Sequence, residues 1–121
     1  MILIAEDDKL NKLLLERVVT KLGYSIKSVE DGKELITICE KQKFKIIIVD
    51  VSMPLIDGIE AIDFIRNKPN CNNKSVIILM SGTYPQNFKE LQEKYQIADI
   101  ILKPFTLEDI SKKIVGIYKL D

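Results

Sequence analysis

The chain has 121 residues, of which 46% are hydrophobic and 30% charged, a composition typical of one compact globular domain. Its 18 basic and 18 acidic residues cancel, so there is no electrostatic reason to expect nucleic acid or an anionic membrane as the main partner. The absence of histidine excludes imidazole catalysis and histidine-ligated metals, and Cys39 and Cys71 form no CxxC pair, which disfavours zinc.

Strand and helix patterns alternate along the first half of the chain. Residues 2–6 are predicted as the first strand, and residues 44–49 are a near-continuous apolar run typical of a strand covered on both faces. Residues 24–29 alternate polar and apolar positions as an edge strand does. Two helices are predicted between these strands, the first ended by Gly23 and the second started by the Asp31-Gly32 turn. The residues expected to face the core from these helices are Leu10, Leu13, Leu14, Val18 and Leu22, then Leu35, Ile36, Ile38 and Cys39.

The second half continues the same alternation. Asp57-Gly58 precedes a third helix, the apolar run 76–80 predicts another buried strand, and residues 97–102 are predicted as the fifth strand. Thr106 is the predicted N-cap of the last helix. The apolar helix positions are Ile59, Ile62, Phe64 and Ile65, then Phe88, Leu91 and Tyr95, then Leu107, Ile110, Ile114 and Ile117. The alternation predicts an α/β doubly wound domain over residues 1–121, with a parallel five-stranded sheet and helices on both faces.

Polar side chains follow four of the predicted strands at the point where each strand ends. They are Glu6 and Asp7, Asp50, Ser81, and Lys103. Because ligands bind beyond the carboxyl ends of parallel strands, we expect these groups to share one sheet edge. Three converging carboxylates repel one another, and Mg²⁺ with all-oxygen ligation relieves that repulsion. A nucleophilic carboxylate at Asp50, with an ammonium and a hydroxyl nearby, suits phosphoryl transfer. Asp8 is better explained as a helix cap.

At these residues the chain resembles the CheY-like receiver domain of response regulators in two-component signalling. The matching segments are 2–8, 48–54, 57–58, 80–82 and 102–105, which together extend along the whole chain. The resemblance implies the flavodoxin-like strand order 2-1-3-4-5 that CheY shows. The segments 6–11, 53–61 and 65–66 are also similar to receivers joined to hybrid histidine kinases.

The resemblance implies a role for each residue of the cluster. Asp50 is the expected phosphoacceptor, and Ser81 and Lys103 are expected to contact the phosphoryl group. The expected Mg²⁺ ligands are Glu6, Asp7, Asp50 and the backbone carbonyl of Ser52, with Asp7 a more direct ligand than Glu6. A histidine kinase or histidine phosphotransfer protein would donate the phosphoryl group. The phosphorylated domain would then control a downstream protein or a fused output domain, or form a homodimer.

The chain departs from the family pattern at two positions. Ile100 stands three residues before Lys103, where receivers often carry an aromatic residue whose rotation reports phosphorylation. Gly82 follows the hydroxyl residue where alanine is more usual, and glycine adds backbone freedom to the loop there. The positions of Ser52 and Thr83, which tune hydrolysis of the aspartyl phosphate in this family, carry small residues, so we expect water access to stay open.

Two other functions compete with a phosphorylation switch. A small Mg²⁺-dependent phosphohydrolase also uses an aspartyl nucleophile, but Ser52 stands where a second acid would be needed. A phosphorylation-independent interaction module has no need of the acidic and basic cluster. No apolar stretch reaches the length of a membrane helix, and no signal peptide precedes the first strand, so we expect a cytoplasmic protein with reduced cysteines and neither membrane insertion nor direct nucleic-acid binding.

Overall fold

The computed structural model describes residues 1–119, so the last two residues of the expected 1–121 domain lie outside the described part of the chain. Five parallel strands form one sheet in the order β2-β1-β3-β4-β5, which confirms the order implied by the resemblance. The strands are β1 (Ile2–Ala5), β2 (Ile26–Val29), β3 (Ile46–Asp50), β4 (Val76–Ser81) and β5 (Ile97–Leu102). The helices are α1 (Lys9–Lys21), α2 (Gly32–Lys41), α3 (Gly58–Asn67), α4 (Phe88–Tyr95) and α5 (Leu107–Lys119).

The strand ends differ slightly from the predicted bounds, and the difference matters at the carboxyl edge. Asp50 pairs in register with Met80, so it is the last residue of β3 rather than the first residue of a loop. Ser81 likewise pairs with Leu102 and closes β4. Because backbone pairing holds both residues, the sheet itself fixes where their side chains begin.

Alternate residues of each strand point to opposite faces of the sheet, which places a separate apolar layer on each side. One layer joins the sheet to α1 and α5, and the other joins it to α2, α3 and α4. The first layer is built on Ile2, Ile4, Ile46, Ile48, Ile78 and Met80, and the second on Leu3, Ala5, Ile47, Val49, Ile77 and Leu79. This arrangement confirms a doubly wound sheet with helices on both faces.

The apolar stripe predicted for α1 is wrong in its first turns. Leu10 and Leu13 are 64% and 53% exposed, whereas Leu15, Val18 and Val19 are buried. At 3.6 residues per turn, Leu10 lies about 80° and Leu13 about 140° around the helix from Val18, so both have left the face that packs on the sheet. The prediction is also wrong for Leu107, which is 41% exposed at the first position of α5.

Side-chain caps fix the start of several helices close to the carboxyl ends of strands. The carboxylates of Asp8, Asp31 and Asp57 each accept a hydrogen bond from the backbone N–H three residues later, at 2.7–2.9 Å. Thr106 Oγ1 accepts one from Asp109 N at 3.1 Å. The caps predicted at Asp8 and Thr106 are therefore confirmed. Among residues 1–119, no helix is long and apolar enough to cross a membrane.

Candidate functional site

The carboxyl ends of four strands bring the predicted site residues together at one edge of the sheet. Glu6 follows β1 and is fully buried, and its backbone N–H donates to Val29 O at 3.1 Å. Asp50 closes β3 and Ser81 closes β4, at 3% and 8% exposure. Lys103 follows β5, where its N–H donates to Ser81 O at 2.8 Å. The backbone of the sheet thus positions all four residues.

Lys103 is the cation that joins the two buried carboxylates. Its Nζ lies 2.6 Å from Asp50 Oδ2 and 2.9 Å from Glu6 Oε1. Burial alone would lower the pKa of Lys103, but its contacts with Asp50 and then Glu6 raise that pKa above its usual value. Lys103 therefore stays charged, and it points an ammonium at the carboxylate on which the phosphoryl group is predicted.

Glu6 experiences an excess of negative charge in this pocket. Its burial, followed by the neighbouring Asp50 carboxyl, raises the pKa of Glu6 to about 7, although Lys103 opposes the shift. Glu6 Oε1 makes no hydrogen bond among the described residues and has only the ion-pair contact with Lys103. One ammonium does not balance two buried carboxylates, so the pocket favours a second positive charge.

A divalent cation fits the position where that second charge is needed. One carboxylate oxygen from each of Glu6, Asp7 and Asp50 lies within 4.8 Å of the other two. Asp7 is exposed while the other two are buried, so the cluster opens to solvent on one side. Hard carboxylate oxygens together with room for water are the ligands that Mg²⁺ prefers. The carboxylates predicted as metal ligands are thus close enough to share an ion.

The hydroxyl of Ser81, at the end of β4, is held by the loop that follows it. Ser81 Oγ donates to Thr83 O at 2.6 Å and accepts from Thr83 N at 3.3 Å. The hydroxyl therefore already makes both of its hydrogen bonds with Thr83. Its contact with a phosphoryl oxygen stays a prediction, and for that contact the hydroxyl must leave Thr83 O. A Cβ added to Gly82, between the two residues, would meet no atom within 4 Å, so space does not dictate glycine there.

The loop after β3 holds Asp50 from the other side and depends on two glycines. Ser52 N donates to Asp50 Oδ1 at 3.1 Å. A Cβ on Gly58 would lie 2.2 Å from Asp50 O, and a Cβ on Gly32 would lie 2.0 Å from Ile56 O. Both glycines are therefore required by close backbone approach. The sequence identified Asp57-Gly58 as a helix start, and the structure confirms this, but nothing in the sequence pointed to contact with the backbone of Asp50.

The same loop contains a residue in the left-handed region. Leu55 has φ 70°, its side chain is 77% exposed, and Ile56 N donates to Pro54 O at 2.8 Å across it. A leucine with positive φ in so tight a turn is strained. Sequence reasoning missed this feature because leucine carries no signal for such a backbone.

Ile100 lies half-buried and packs against the apolar layer that faces α2, α3 and α4. The neighbouring aromatic side chains of Tyr84 and Phe88 meet edge to face, with ring centroids 5.2 Å apart, and Tyr84 is 55% exposed. This side of the sheet therefore presents an aliphatic residue on β5 and an aromatic pair on the loop and helix after β4.

Comparisons with known proteins point to the same family as the sequence motifs. A family model described as the response regulator receiver domain matches residues 2–115. The chain is 28% identical to the transcription factor SKN7 of Saccharomyces cerevisiae over 98% of its own length but only 18% of that protein. It is 28% identical to a probable chemotaxis protein CheY of Rhizobium etli, over 97% of this chain and 91% of that one.

One solved structure is similar to the chain in fold and, to a lesser degree, in sequence. It is the receiver domain of the sensor histidine kinase PA1611 of Pseudomonas aeruginosa, described with a magnesium ion coordinated in its active site cleft. The TM-score is 0.83 at 27% identity, covering 95% of this chain and 93% of that one. The chain spans about a fifth of the length of the two SKN7 relatives that it matches.

Proposed function

Because this chain belongs to the response regulator receiver domain family, we propose that Asp50 accepts a phosphoryl group from a phosphohistidine. The observation that carries the proposal is the contact of Lys103 Nζ with Asp50 Oδ2 at 2.6 Å, inside a cluster of three carboxylates. A receiver domain is a phosphoacceptor of two-component signalling rather than an enzyme with a small substrate. We also propose that residues 1–121 form one receiver domain.

The two oxygens of Asp50 are held by different groups. Ser52 N donates to Oδ1, and Lys103 donates to Oδ2. A carboxylate oxygen of Asp50 attacks the phosphorus, the new O–P bond forms as the P–N bond of phosphohistidine breaks, and the imidazole nitrogen departs with the electron pair and takes up a proton. Lys103 then lies beside the phosphoryl oxygens and offsets their charge.

Magnesium suits the donor set that the pocket offers. The residues proposed to hold it are Glu6, Asp7, Asp50 and the backbone carbonyl of Ser52. When bound, Mg²⁺ neutralises charge on the transferring phosphoryl group and on the converging carboxylates. Support comes from the three carboxylates, each of which offers an oxygen within 4.8 Å of the other two, and from the magnesium described in the PA1611 receiver.

We propose that the hydroxyl of Ser81 carries the signal away from the pocket. It would leave Thr83 O, to which it donates at 2.6 Å, and donate to a phosphoryl oxygen instead. This exchange frees the loop that leads to α4. The N-cap residue Asn87 makes no side-chain cap there, so the start of α4 is weakly held and can respond. Ser81 thus shifts an equilibrium between two existing conformations of this loop and the start of α4.

The proposed partners follow from this chemistry. A histidine kinase or histidine phosphotransfer protein donates the phosphoryl group in the cytoplasm, and a downstream protein, a fused output domain or a second copy of the chain reads the changed surface. The SKN7 relatives are several times longer than this chain. Such output activities therefore stay proposals.

The test is incubation with acetyl phosphate and Mg²⁺, followed by intact mass measurement. We expect one added phosphoryl group in the wild type and in Asp99→Asn, and none in Asp50→Asn. Asp99 is the matched control because its carboxylate also pairs with a lysine, Lys113, at 2.8 Å. An unchanged wild-type mass would contradict the proposal and favour a phosphorylation-independent module. Sustained turnover of small phosphoesters would favour a phosphohydrolase.

A further inference from the structure

The two cysteines lie together at the edge of the sheet opposite the phosphoacceptor. Cys39 is in the last turn of α2, and Cys71 is in the segment between α3 and β4. Asn72, next to Cys71, accepts a hydrogen bond from Phe44 N just before β3 begins. The pair therefore sits at the amino ends of the strands, where the proposed phosphoryl chemistry makes no use of it.

The contacts around Asn72 bring the two cysteines into one cluster. Cys71 Sγ lies 3.4 Å from Cys39 O, and Asn72 Nδ2 lies 2.7 Å from Cys39 O and 3.5 Å from Cys71 Sγ. Cys39 is 1% exposed, whereas Cys71 is exposed, and both are free thiols. We propose that Cys39 and Cys71 form a reversible disulfide when a peroxide oxidises the protein.

The two sulfur atoms are close enough for a side-chain rotation to join them. Covalent geometry keeps a cysteine Sγ within about 5 Å of its own carbonyl oxygen, so the atom that Cys71 already contacts is close to the Cys39 thiol. A disulfide brings the two sulfurs to about 2.05 Å, which requires the Cys71 side chain to turn inward. Cys71 lies in a segment, 68–75, that contains neither helix nor strand, so turning its side chain breaks no backbone pairing of the sheet.

The two thiols differ in a way that orders the reaction. Burial, with a smaller effect from Cys71, raises the pKa of the Cys39 thiol to about 12, so Cys39 is a poor first nucleophile. The sulfur of exposed Cys71 attacks a peroxide oxygen, the S–O bond forms as the O–O bond breaks, and the thiol proton leaves with the departing hydroxyl as water, which gives a sulfenic acid. The Cys39 sulfur then attacks the Cys71 sulfur, the S–S bond forms as the S–O bond breaks, and the Cys39 thiol proton leaves with the hydroxyl as water. In total, two thiols and one hydrogen peroxide give one disulfide and two waters.

A purely structural role predicts a different outcome. The Cys71 thiol donates to a carbonyl in the last turn of α2, which is a helix-capping contact that serine would also make. In that case peroxide would oxidise Cys71 alone and leave Cys39 buried and reduced. The product of oxidation therefore separates the two explanations.

The experiment treats the full chain with hydrogen peroxide, blocks remaining thiols with iodoacetamide and maps tryptic peptides without reductant. Cleavage releases Cys39 in peptide 34–41 and Cys71 in peptide 67–74. We expect these two peptides to be joined, the intact mass to fall by about 2 Da, and dithiothreitol to reverse both changes. The Asp50 phosphorylation assay provides an independent readout, since its failure would leave this result unaffected.

Two variants complete the test. Cys71→Ser keeps the capping contact and is expected to show no mass loss, whereas Cys39→Ala is expected to accumulate oxygenated Cys71 or a dimer joined through Cys71. Recovery of wild-type Cys39 fully alkylated after denaturation, beside oxygenated Cys71, would overturn the proposal. So would a disulfide found only between two chains.

Discussion

Replacing Lys103 with methionine tests the electrostatics of the pocket directly. The ammonium lies within 2.9 Å of two carboxylates, Glu6 at 0% and Asp50 at 3% residue exposure. Removing one partner of a fully buried ion pair costs about 3–5 kcal/mol, because the remaining charge is left unpaired. The Lys103 side chain is 23% exposed, so we expect the lower part of that range or slightly less, about 2–3 kcal/mol at pH 8.

The loss should depend on pH, with a definite sign. The raised pKa of Glu6 means that its protonated form favours the folded state, so this stabilisation is present at pH 4.5 and lost as the pH rises through about 7. Lys103 lowers the pKa of Glu6, so without Lys103 the stability lost when Glu6 ionises is larger, and it is lost at higher pH. Lys103→Met should therefore lose less stability relative to wild type at pH 5, where Glu6 is protonated and only the pair with Asp50 is broken, than at pH 8.

The assay is urea unfolding of the metal-free protein at both pH values, followed by addition of Mg²⁺. Lys113→Met is the matched control, because Lys113 pairs with Asp99 at 2.8 Å but the Asp99 side chain is 44% exposed, and such pairs contribute about 1 kcal/mol or less. Mg²⁺ should restore much of the stability that Lys103→Met loses, and none of that lost by the control. Equal losses in the two variants, or a loss independent of pH, would refute the reasoning.

The remaining predictions concern Arg66, at the edge of the sheet opposite the pocket, and two glycines in the loops beside the pocket. Arg66 donates to three backbone carbonyls at the end of α4 and in the loop before β4, at 2.6–3.2 Å. Arg66→Met should therefore lower the free energy of unfolding in urea by about 2 kcal/mol. Arg17, on α1, is exposed, so the control Arg17→Met should lower it by less than about 0.5 kcal/mol. An equal cost for both arginines would contradict that account. Gly58→Ala, whose Cβ would lie 2.2 Å from Asp50 O, should lower the free energy of unfolding by about 2–4 kcal/mol and slow phosphorylation. The control Gly82→Ala should leave the thermal melt almost unchanged. A Gly58→Ala variant as stable as wild type would contradict the close approach.

The sheet and its carboxyl edge were predictable because each rests on a local pattern. Apolar runs indicated β1, β3 and β4, and the parallel topology then placed the polar residues at the ends of these strands together. The contact of Lys103 with Asp50 follows from that placement. The strand order itself came from the resemblance, since periodicity alone does not say which strands are neighbours.

Features that depend on contacts between distant segments were not predictable. The face of α1 that packs on the sheet is one such feature: Leu15, Val18 and Val19 are buried there, whereas Leu10 and Leu13, predicted to face the core, are exposed. The positive φ of Leu55 and the steric need for Gly32 arise from how the loop after β3 packs. The closeness of Cys39 and Cys71 likewise depends on the fold, because they are 32 positions apart in the chain.

The most direct test of the central claim is a crystal structure of the chain with beryllofluoride and Mg²⁺. We expect beryllium bonded to a carboxylate oxygen of Asp50, Lys103 Nζ in contact with a fluoride, Mg²⁺ beside Asp7, and the Ser81 hydroxyl turned away from Thr83 O. A bare Asp50 carboxylate at saturating beryllofluoride, or beryllium bonded to a different carboxylate, would contradict the account.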